Sequence, residues 1–154
     1  GAANGRPALV ADAAPAVAPR AERVLLAEDN PVNRRVACLM LQKLGYQTDV
    51  ATNGLQAVEA AVRQSYAVVL MDVQMPEMDG LEAAAKIVQR WPRPEERPWI
   101  IALTANAMQG DRERCMAAGM DDYLTKPIRN EDLTAALERA HAARSQRASG
   151  GAVA

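Results

Sequence analysis

Acidic, hydroxyl and ammonium side chains stand at or just beyond the ends of four short, strand-like runs in this sequence of 154 residues. Runs of this length and apolar character are typical of buried strands. In open α/β sheets, ligands bind beyond the carboxyl ends of the strands, so side chains at those ends gather in one crevice. The side chains that we expect to meet there are Glu28, Asp29, Asp72, Thr104 and Lys126.

Three carboxylates crowded into one crevice need a positive charge beside them. Two unit charges about 4 Å apart repel by about 4 kcal/mol at an effective dielectric constant of 20, so the three cannot all stay ionised alone. Hard oxygen ligands around an open crevice suit Mg²⁺, which keeps several of its waters and also binds phosphate. An ionised carboxylate can form an aspartyl phosphate. The candidate nucleophile is Asp72, which ends a run of four apolar residues.

Phosphoryl transfer also requires hydrogen-bond donors and positive charge around the phosphoryl oxygens. Lys126 can supply an ammonium group and Thr104 a hydroxyl. The main-chain N–H groups of Val73 and Gln74, directly after Asp72, are further candidate donors. The loop after the first strand carries two acids instead of a glycine-rich phosphate cradle, which argues against a flavodoxin-type flavin site and against a P-loop.

Composition argues against several other classes of function. The apolar fraction of 49% is typical of a globular protein, and the net charge of −1 gives no basic field for nucleic acid. No apolar run approaches the roughly 20 residues of a membrane helix, and the sequence as given opens with no signal-peptide pattern. Cys38 and Cys115 lack the spacing of metal ligands, and the single histidine, His141, cannot form a histidine cluster. We therefore expect a cytoplasmic protein with reduced thiols.

Strand-like runs alternate with helical patterns from residue 24 onwards. The predicted strands are Val24–Ala27, Tyr46–Ala51, Val68–Asp72, Trp99–Thr104 and Asp122–Thr125. Four of the helices are predicted from apolar residues at helical spacing, which would face the core: Val32, Val36, Leu39, Met40 and Leu44; Leu55, Val58, Ala61 and Val62; Leu81, Ala84, Ala85 and Val88; and Leu133, Leu137 and Ala140. A weaker helix is predicted at about 108–118.

Strict alternation of strands and helices leaves no room for hairpins and predicts an α/β fold. The expected architecture is the flavodoxin-like (βα)5 type, a doubly wound five-stranded parallel sheet with strand order 2-1-3-4-5. In this order the crevice lies beside strands one and three.

The chain divides into three segments by composition. Residues 1–21 are rich in Ala and Pro, which predicts a flexible linker. Residues 22–143 hold the alternating pattern and form the predicted domain. Residues 144–154 are small and polar, which predicts a disordered tail. Inside the domain, the Pro-rich segment 91–98 predicts a loop without helix.

At four motifs the sequence resembles the receiver domain of two-component response regulators. The motifs are Leu25-Leu26-Ala27-Glu28-Asp29-Asn30, Met71-Asp72-Val73-Gln74-Met75-Pro76-Glu77-Met78-Asp79-Gly80, Ala102-Leu103-Thr104-Ala105 and Lys126-Pro127. The resemblance runs from about Arg23 to His141. Between Ala102 and Ile128 it is strongest to the receivers carried by hybrid sensor histidine kinases.

The resemblance implies a role for each matching position. Asp72 would be the phosphoacceptor, and the implied Mg²⁺ ligands are Glu28, Asp29, Asp72 and the main-chain carbonyl of Gln74. Phosphoryl-binding and switch roles are implied for Thr104, Lys126, Tyr123 and the main chain of Val73 and Ala105. Pro127 would follow a cis peptide bond.

The resemblance also implies a place in a phosphorelay. The expected partners are a histidine kinase or a histidine phosphotransfer domain, with a weak homodimer as a further option and without nucleic acid or direct membrane contact. Self-phosphorylation and self-dephosphorylation would be the domain's only chemistry. We favour the C-terminal part of a hybrid sensor histidine kinase, with tethering to the inner membrane through the parent kinase left open.

Three alternatives are weighed against this interpretation. A stand-alone single-domain response regulator would carry the same motifs. A receiver used only for protein contacts is disfavoured because no acid is missing and the lysine is present. A haloacid-dehalogenase-like phosphatase needs a second Asp two residues after the nucleophile, where this chain has Gln74.

Overall fold

Strands and helices alternate in the computed structural model, which describes residues 22–105 and 109–153. The elements are β1 (Arg23–Ala27), α1 (Pro31–Lys43), β2 (Gln47–Ala51), α2 (Gly54–Arg63), β3 (Val68–Asp72), α3 (Gly80–Arg90), β4 (Trp99–Thr104), α4 (Gln109–Ala117), β5 (Asp122–Thr125) and α5 (Asn130–Val153). The predicted linker at 1–21 lies outside the described residues.

The strands form one parallel sheet in the order β2-β1-β3-β4-β5, as predicted. Ala27 pairs with Met71, and Asp72 pairs with Leu103, so β1, β3 and β4 end at nearly the same level. Because all strands run in one direction, their carboxyl ends share one edge of the sheet. This register brings the loops after β1, β3, β4 and β5 together.

Helices cover both faces of the sheet. Leu26 of β1 shares a buried cluster with Leu41 of α1 and Leu133 of α5, whereas its neighbour Leu25 shares the opposite cluster with α2, α3 and Cys115 of α4. All five residues of the central strand β3 are buried, as expected for a strand covered on both faces. Among the described helices, none combines the length and apolar character that crossing a bilayer would require.

The buried face of α1 differs from the predicted one. Val32, Val36 and Leu39 are 68%, 45% and 47% exposed, whereas the buried residues of this helix are Ala37 and Leu41. A small side chain such as Ala37 lets the helix approach the sheet closely. Val32, Val36 and Leu39 therefore form an exposed stripe on the outer side of α1, whereas the predicted Met40 and Leu44 are partly buried against the core.

Alanine also forms the buried faces of α2 and α3. In α2, Ala57 and the predicted Ala61 are buried, and the predicted Val58 is partly buried against the core. The predicted Leu55 and Val62 are exposed. In α3 the structure buries Ala83, Ala84 and Ile87, and the predicted Leu81, Ala85 and Val88 are only partly buried. In α5 the predicted Leu133, Leu137 and Ala140 are buried.

Helix α5 continues well beyond the predicted end of the domain. The expectation of a disordered tail from residue 144 is wrong, because the helix runs to Val153. The Arg147 guanidinium lies 4.6 Å from the centroid of the Trp99 ring and donates a hydrogen bond of 2.9 Å to Asp121. These cation–π and ionic contacts hold the extension to the sheet, and an apolar pattern cannot reveal them.

The Pro-rich segment 91–98 contains one short helical turn. It was expected to be a loop without helix, but Pro94–Glu96 form a 3-10 turn with proline at its start. Arg97 Nη1 donates to the carbonyl oxygens of Trp91 and Pro92 at 3.2 and 3.1 Å, which ties the two ends of the segment together. Proline at the first helical position is compatible with such a turn because its missing N–H would be unpaired there in any case.

Two leucines in α1 provide a test of the face that this helix buries. Leu41→Ala is expected to reduce the free energy of unfolding by about 2–5 kcal/mol, because Leu41 is fully buried. Leu39→Ala is the matched control, expected to change the free energy of unfolding by less than about 0.5 kcal/mol because Leu39 lies on the exposed side of the helix. Both values can be measured by urea unfolding. Equal losses, or a larger loss for Leu39→Ala, would show that α1 is rotated relative to this structure.

Candidate functional site

Asp72 ends β3 at the carboxyl edge of the sheet and is 3% exposed. The sheet continues one residue further, because the Val73 N–H donates to the Leu103 carbonyl at 3.0 Å. The next N–H, that of Gln74, turns back and donates to Asp72 Oδ1 at 3.1 Å. The carboxylate is thus fixed by its own loop. The Gln74 N–H contacts the carboxylate, whereas the Val73 N–H pairs with β4. Val73 lines the cavity beside Asp72, and its role towards a phosphoryl group stays a prediction.

Glu28 and Asp29 follow β1 at the same edge. The Glu28 N–H donates to the Ala51 carbonyl at 3.0 Å. The Glu28 side-chain carboxylate accepts a hydrogen bond from the Asn30 N–H at 3.1 Å. Glu28 is 2% exposed, whereas Asp29 is exposed. One carboxylate oxygen from each of Glu28, Asp29 and Asp72 lies within 4.8 Å of the others. The structure therefore brings the three predicted acids together.

Lys126 supplies positive charge to this acidic cluster. Its Nζ lies 2.7 Å from Asp72 Oδ2 and 3.3 Å from Glu28 Oε1. The Lys126 N–H donates to the Thr104 carbonyl at 2.8 Å, which extends the pairing of β4 and β5 to the lysine. The peptide bond between Lys126 and Pro127 is cis, as the resemblance implied.

The pKa values of the buried groups show how the charges balance. Burial raises the pKa of the Glu28 carboxyl, the N–H of Asn30 opposes this shift, and the nearby Asp72 carboxylate adds to it. Burial acts to lower the pKa of Lys126, but the hydrogen bond and charge of Asp72, together with Glu28, outweigh burial and raise it. Lys126 therefore stays protonated at neutral pH, while the raised pKa of Glu28 makes this carboxyl harder to ionise than a free one, chiefly because it is buried.

A cavity of about 510 Å³ opens beside Asp72, towards α4. Its lining includes Asp72, Thr104, Ala105 and Lys126 from the predicted set. Thr104 ends β4 and is 7% exposed. The cavity is large enough to admit a phosphoryl group together with a side chain from another molecule.

Three charged residues that line this cavity were not predicted as site residues. Asp79 was recognised only as the cap of α3, a role that it does fill by accepting the Glu82 N–H. Asp111 and Arg114 lie on α4 and form an ion pair of 3.4 Å. Their spacing along the helix was visible in the sequence, but the side of α4 that faces the cavity was not.

Tyr123 lies on β5, opposite Ala102 of β4 and therefore two residues from the level of Thr104. Its ring is half-buried, and the Arg112 guanidinium from α4 lies 5.1 Å from the ring centroid. The contact with Arg112 was not predicted, because it depends on how α4 packs beside β5.

The model of the family described as response regulator receiver domain matches residues 24–138. Hybrid signal transduction histidine kinase H of Dictyostelium discoideum is 43% identical over 122 residues, which cover 77% of this chain and 9% of that protein. The histidine-protein kinase BarA of Escherichia coli K12 is 39% identical over 110 residues, which cover 71% of this chain and 12% of that protein. The chain thus spans about a tenth of the length of these relatives.

Solved structures of receiver domains superpose on this chain. The receiver domain of sensor histidine kinase PA1611 from Pseudomonas aeruginosa, with a magnesium ion in its active-site cleft, is 46% identical, with a TM-score of 0.70 and coverage of 78% of this chain and 97% of that one. The receiver domain of Saccharomyces cerevisiae Ssk1, crystallised with the phosphotransfer protein Ypd1, is 31% identical, with a TM-score of 0.68 and coverage of 73% and 83%. The site geometry, the strand order and these similarities agree, and the chain belongs to the response regulator receiver domain family.

Proposed function

We propose that this domain accepts a phosphoryl group on Asp72 from a phosphohistidine of a partner protein. The observation that carries the proposal is the acidic cluster, in which oxygens of Glu28, Asp29 and Asp72 lie within 4.8 Å of one another. Beside it, Lys126 Nζ lies 2.7 Å from Asp72. Carboxylates arranged in this way, with a cation on one side, suit phosphoryl transfer to a carboxylate.

Mg²⁺ fits this set of donors. Three carboxylates face one ammonium, so the cluster carries excess negative charge that a divalent cation would balance. The ligands would be Glu28, Asp29, Asp72 and the Gln74 carbonyl, all hard oxygens. When bound, the ion supplies positive charge to the phosphoryl oxygens. The magnesium-containing PA1611 receiver domain supports this assignment.

The chain's own groups hold the reacting carboxylate and receive the phosphoryl group. A carboxylate oxygen of Asp72 forms the new P–O bond as the P–N bond of the phosphohistidine breaks, and the imidazole nitrogen keeps the electron pair of that bond. Gln74 N–H and Lys126 hold the two carboxylate oxygens in place. Thr104 and the main chain of Ala105 line the cavity where the phosphoryl oxygens would lie. Hydrolysis of the acyl phosphate resets the domain, so the chemistry acts on the domain itself.

Phosphorylation would change the surface formed by α4, β5 and α5. The modification adds about −1.5 to −2 charges at neutral pH. Lys126 and Thr104 would move onto the new oxygens, and Tyr123 would turn towards Thr104, away from Arg112. This local change in charge would select between two arrangements of the surface.

The exposed apolar stripe of α1 fits the docking of the phosphohistidine partner. Val32, Val36 and Leu39 lie on one side of α1, and the helix starts three residues after Glu28. Because α1 follows directly on the loop that carries Glu28 and Asp29, a partner that covers this stripe would bring a histidine close to the acidic cluster. The structure of the Ssk1 receiver with Ypd1 supports a histidine phosphotransfer domain as the partner. Exposed apolar side chains grouped in this way are typical of protein interfaces.

The similarity to hybrid histidine kinases favours a receiver domain that works as part of such a kinase on the cytoplasmic side. A haloacid-dehalogenase-like phosphatase is not favoured, because Gln74 stands where that chemistry needs a second Asp. In the proposed setting, a histidine on the kinase or on a separate phosphotransfer domain is the donor.

Asp72→Asn tests the phosphoacceptor. Incubation of the unaltered chain with acetyl phosphate and Mg²⁺ is expected to add the mass of one phosphoryl group. Asp72→Asn should show no addition, because an amide oxygen is a poor nucleophile. Asp111→Asn is the matched control, since it removes a different carboxylate that lines the same cavity, and it should still take up one phosphoryl group. Intact-mass spectrometry measures the result, and equal uptake by Asp72→Asn and the unaltered chain would place the acceptor elsewhere.

Mg²⁺ is expected to stabilise the folded chain. At a concentration 100 times its Kd, the metal should add about 2.7 kcal/mol and raise the Tm. Glu28→Gln should abolish most of this rise, because it removes a buried ligand. Glu59→Gln, which removes an exposed carboxylate from α2, should leave it unchanged. Calorimetry with and without Mg²⁺ gives both values; a rise that survives Glu28→Gln would contradict the ligand set.

Val36→Arg tests the docking surface. Transfer from a phosphorylated histidine phosphotransfer domain, chosen from a panel as the fastest donor to the unaltered chain, is expected to slow by roughly tenfold or more. Phosphorylation by acetyl phosphate should not change, because this donor needs no docking. Val62→Arg on α2 is the control, since Val62 is equally exposed but lies outside the stripe. Loss with both donors, or with both variants, would contradict a role of α1 in docking.

A further inference from the structure

Helix α2 begins in close contact with the loop that follows Asp72. Its first residue, Gly54, donates its N–H to the carbonyl oxygen of Met78 at 2.8 Å. A Cβ atom at Gly54 would overlap that oxygen and would lie 2.9 Å from the carbonyl oxygen of Asp79. Real Cβ atoms do not approach backbone atoms this closely, so a larger residue here would displace the loop.

Glycine is required at position 54 because the Met78 carbonyl comes so close to it, and not because of its backbone conformation. Gly45 and Gly119 have φ values of 90° and 97°, in the left-handed region that favours glycine. Gly54 is not among the positive-φ residues of the described chain. Glycine is also among the poorest helix formers. Its presence at the first position of α2 is therefore explained by the space that the loop occupies.

The same loop is held at its other end by α3. Gly80 donates its N–H to the Val73 carbonyl at 2.8 Å, and a Cβ atom at Gly80 would overlap the carbonyl oxygen of Asp72. Between the two glycine contacts lies Glu77, whose φ is 69°. The loop also contains Gln74, the residue that donates to Asp72 and whose carbonyl is a proposed metal ligand.

We propose that Gly54 is a positioning residue for the phosphorylation site. It lies on α2, a helix that supplies none of the proposed ligands, and acts through Met78 on the loop that carries Gln74. The close approach fixes the loop so that the Gln74 N–H meets Asp72. This inference rests on the proposed function, since it concerns Mg²⁺ binding and phosphoryl transfer at that site.

Gly54→Ala in the full chain tests this role. The affinity for Mg²⁺, followed by the amide chemical shift of Gln74, is expected to fall roughly 10–100-fold, as when an outer-shell partner of a metal site is lost. Gly110→Ala is the matched control, because a Cβ there would meet nothing within 4 Å. It should leave the affinity unchanged. Phosphorylation by acetyl phosphate should slow in Gly54→Ala and not in Gly110→Ala.

A second control separates positioning from loss of stability. Leu137→Ala removes a buried side chain on α5, away from the loop, and should lower the Tm without weakening Mg²⁺ binding. If Leu137→Ala weakens Mg²⁺ binding as much as Gly54→Ala does, Gly54 has no positioning role. The inference is likewise overturned if Gly54→Ala binds Mg²⁺ as tightly as the unaltered chain. If the unaltered chain neither binds Mg²⁺ nor takes up a phosphoryl group, the proposed function itself fails.

A measurement on the unaltered chain covers the case in which Gly54→Ala does not fold. Coupling is reciprocal, so Mg²⁺ binding should slow hydrogen exchange of the Gly54 amide if this contact positions the metal loop. The exposed amide of Gly110 should show no change. Slower exchange at Gly54 supports the inference, and exchange that is unaffected by saturating Mg²⁺ overturns it.

Discussion

Mutual repulsion among Glu28, Asp29 and Asp72 is the constraint on which the site depends. Two of these acids are almost fully buried, and their oxygens lie within 4.8 Å of one another. Lys126 offsets part of the charge, but three carboxylates face its one ammonium group, and burial together with the Asp72 carboxylate raises the pKa of Glu28. A fold that buries this excess negative charge gives up stability, and that loss is recovered when a cation binds. Metal binding and the folded state are therefore energetically linked.

The parallel sheet makes this arrangement possible with short connections. Residues as distant in sequence as Glu28 and Lys126 meet because every strand ends at the same edge. β3 is buried along its whole length, so the position of Asp72 is fixed by packing on both faces. At the opposite end, Arg147 joins α5 to Trp99 at the start of β4. The two ends of the sheet thus have separate roles, chemistry at one and anchoring of the terminal helix at the other.

The sequence could predict the features that follow from the regular alternation of strands and helices. It could predict little of what depends on how closely helices pack against the sheet. Strand order and the meeting of Asp72 with Lys126 followed from alternation and from side chains at strand ends. The rotation of α1 did not, because small Ala37 packs on the sheet while larger Val36 faces solvent. The length of α5 was also missed. Its extension is held by Arg147, a residue that a polar-composition argument assigns to solvent.

Main-chain contacts fix the orientation of the site residues, which the side-chain motif does not determine. A motif can name Asp72, yet the direction of its carboxylate depends on the Gln74 N–H, which in turn depends on how the loop is held. The two residues that hold this loop, Gly54 and Gly80, do so because they lack a side chain. A search of the sequence for reactive side chains therefore does not find them. Because a displacement of about 1 Å at a reacting group can cost about a hundredfold in rate, such contacts matter as much as the ligands. The accuracy of the site is therefore set by helix packing around α2 and α3 as well as by its charged residues.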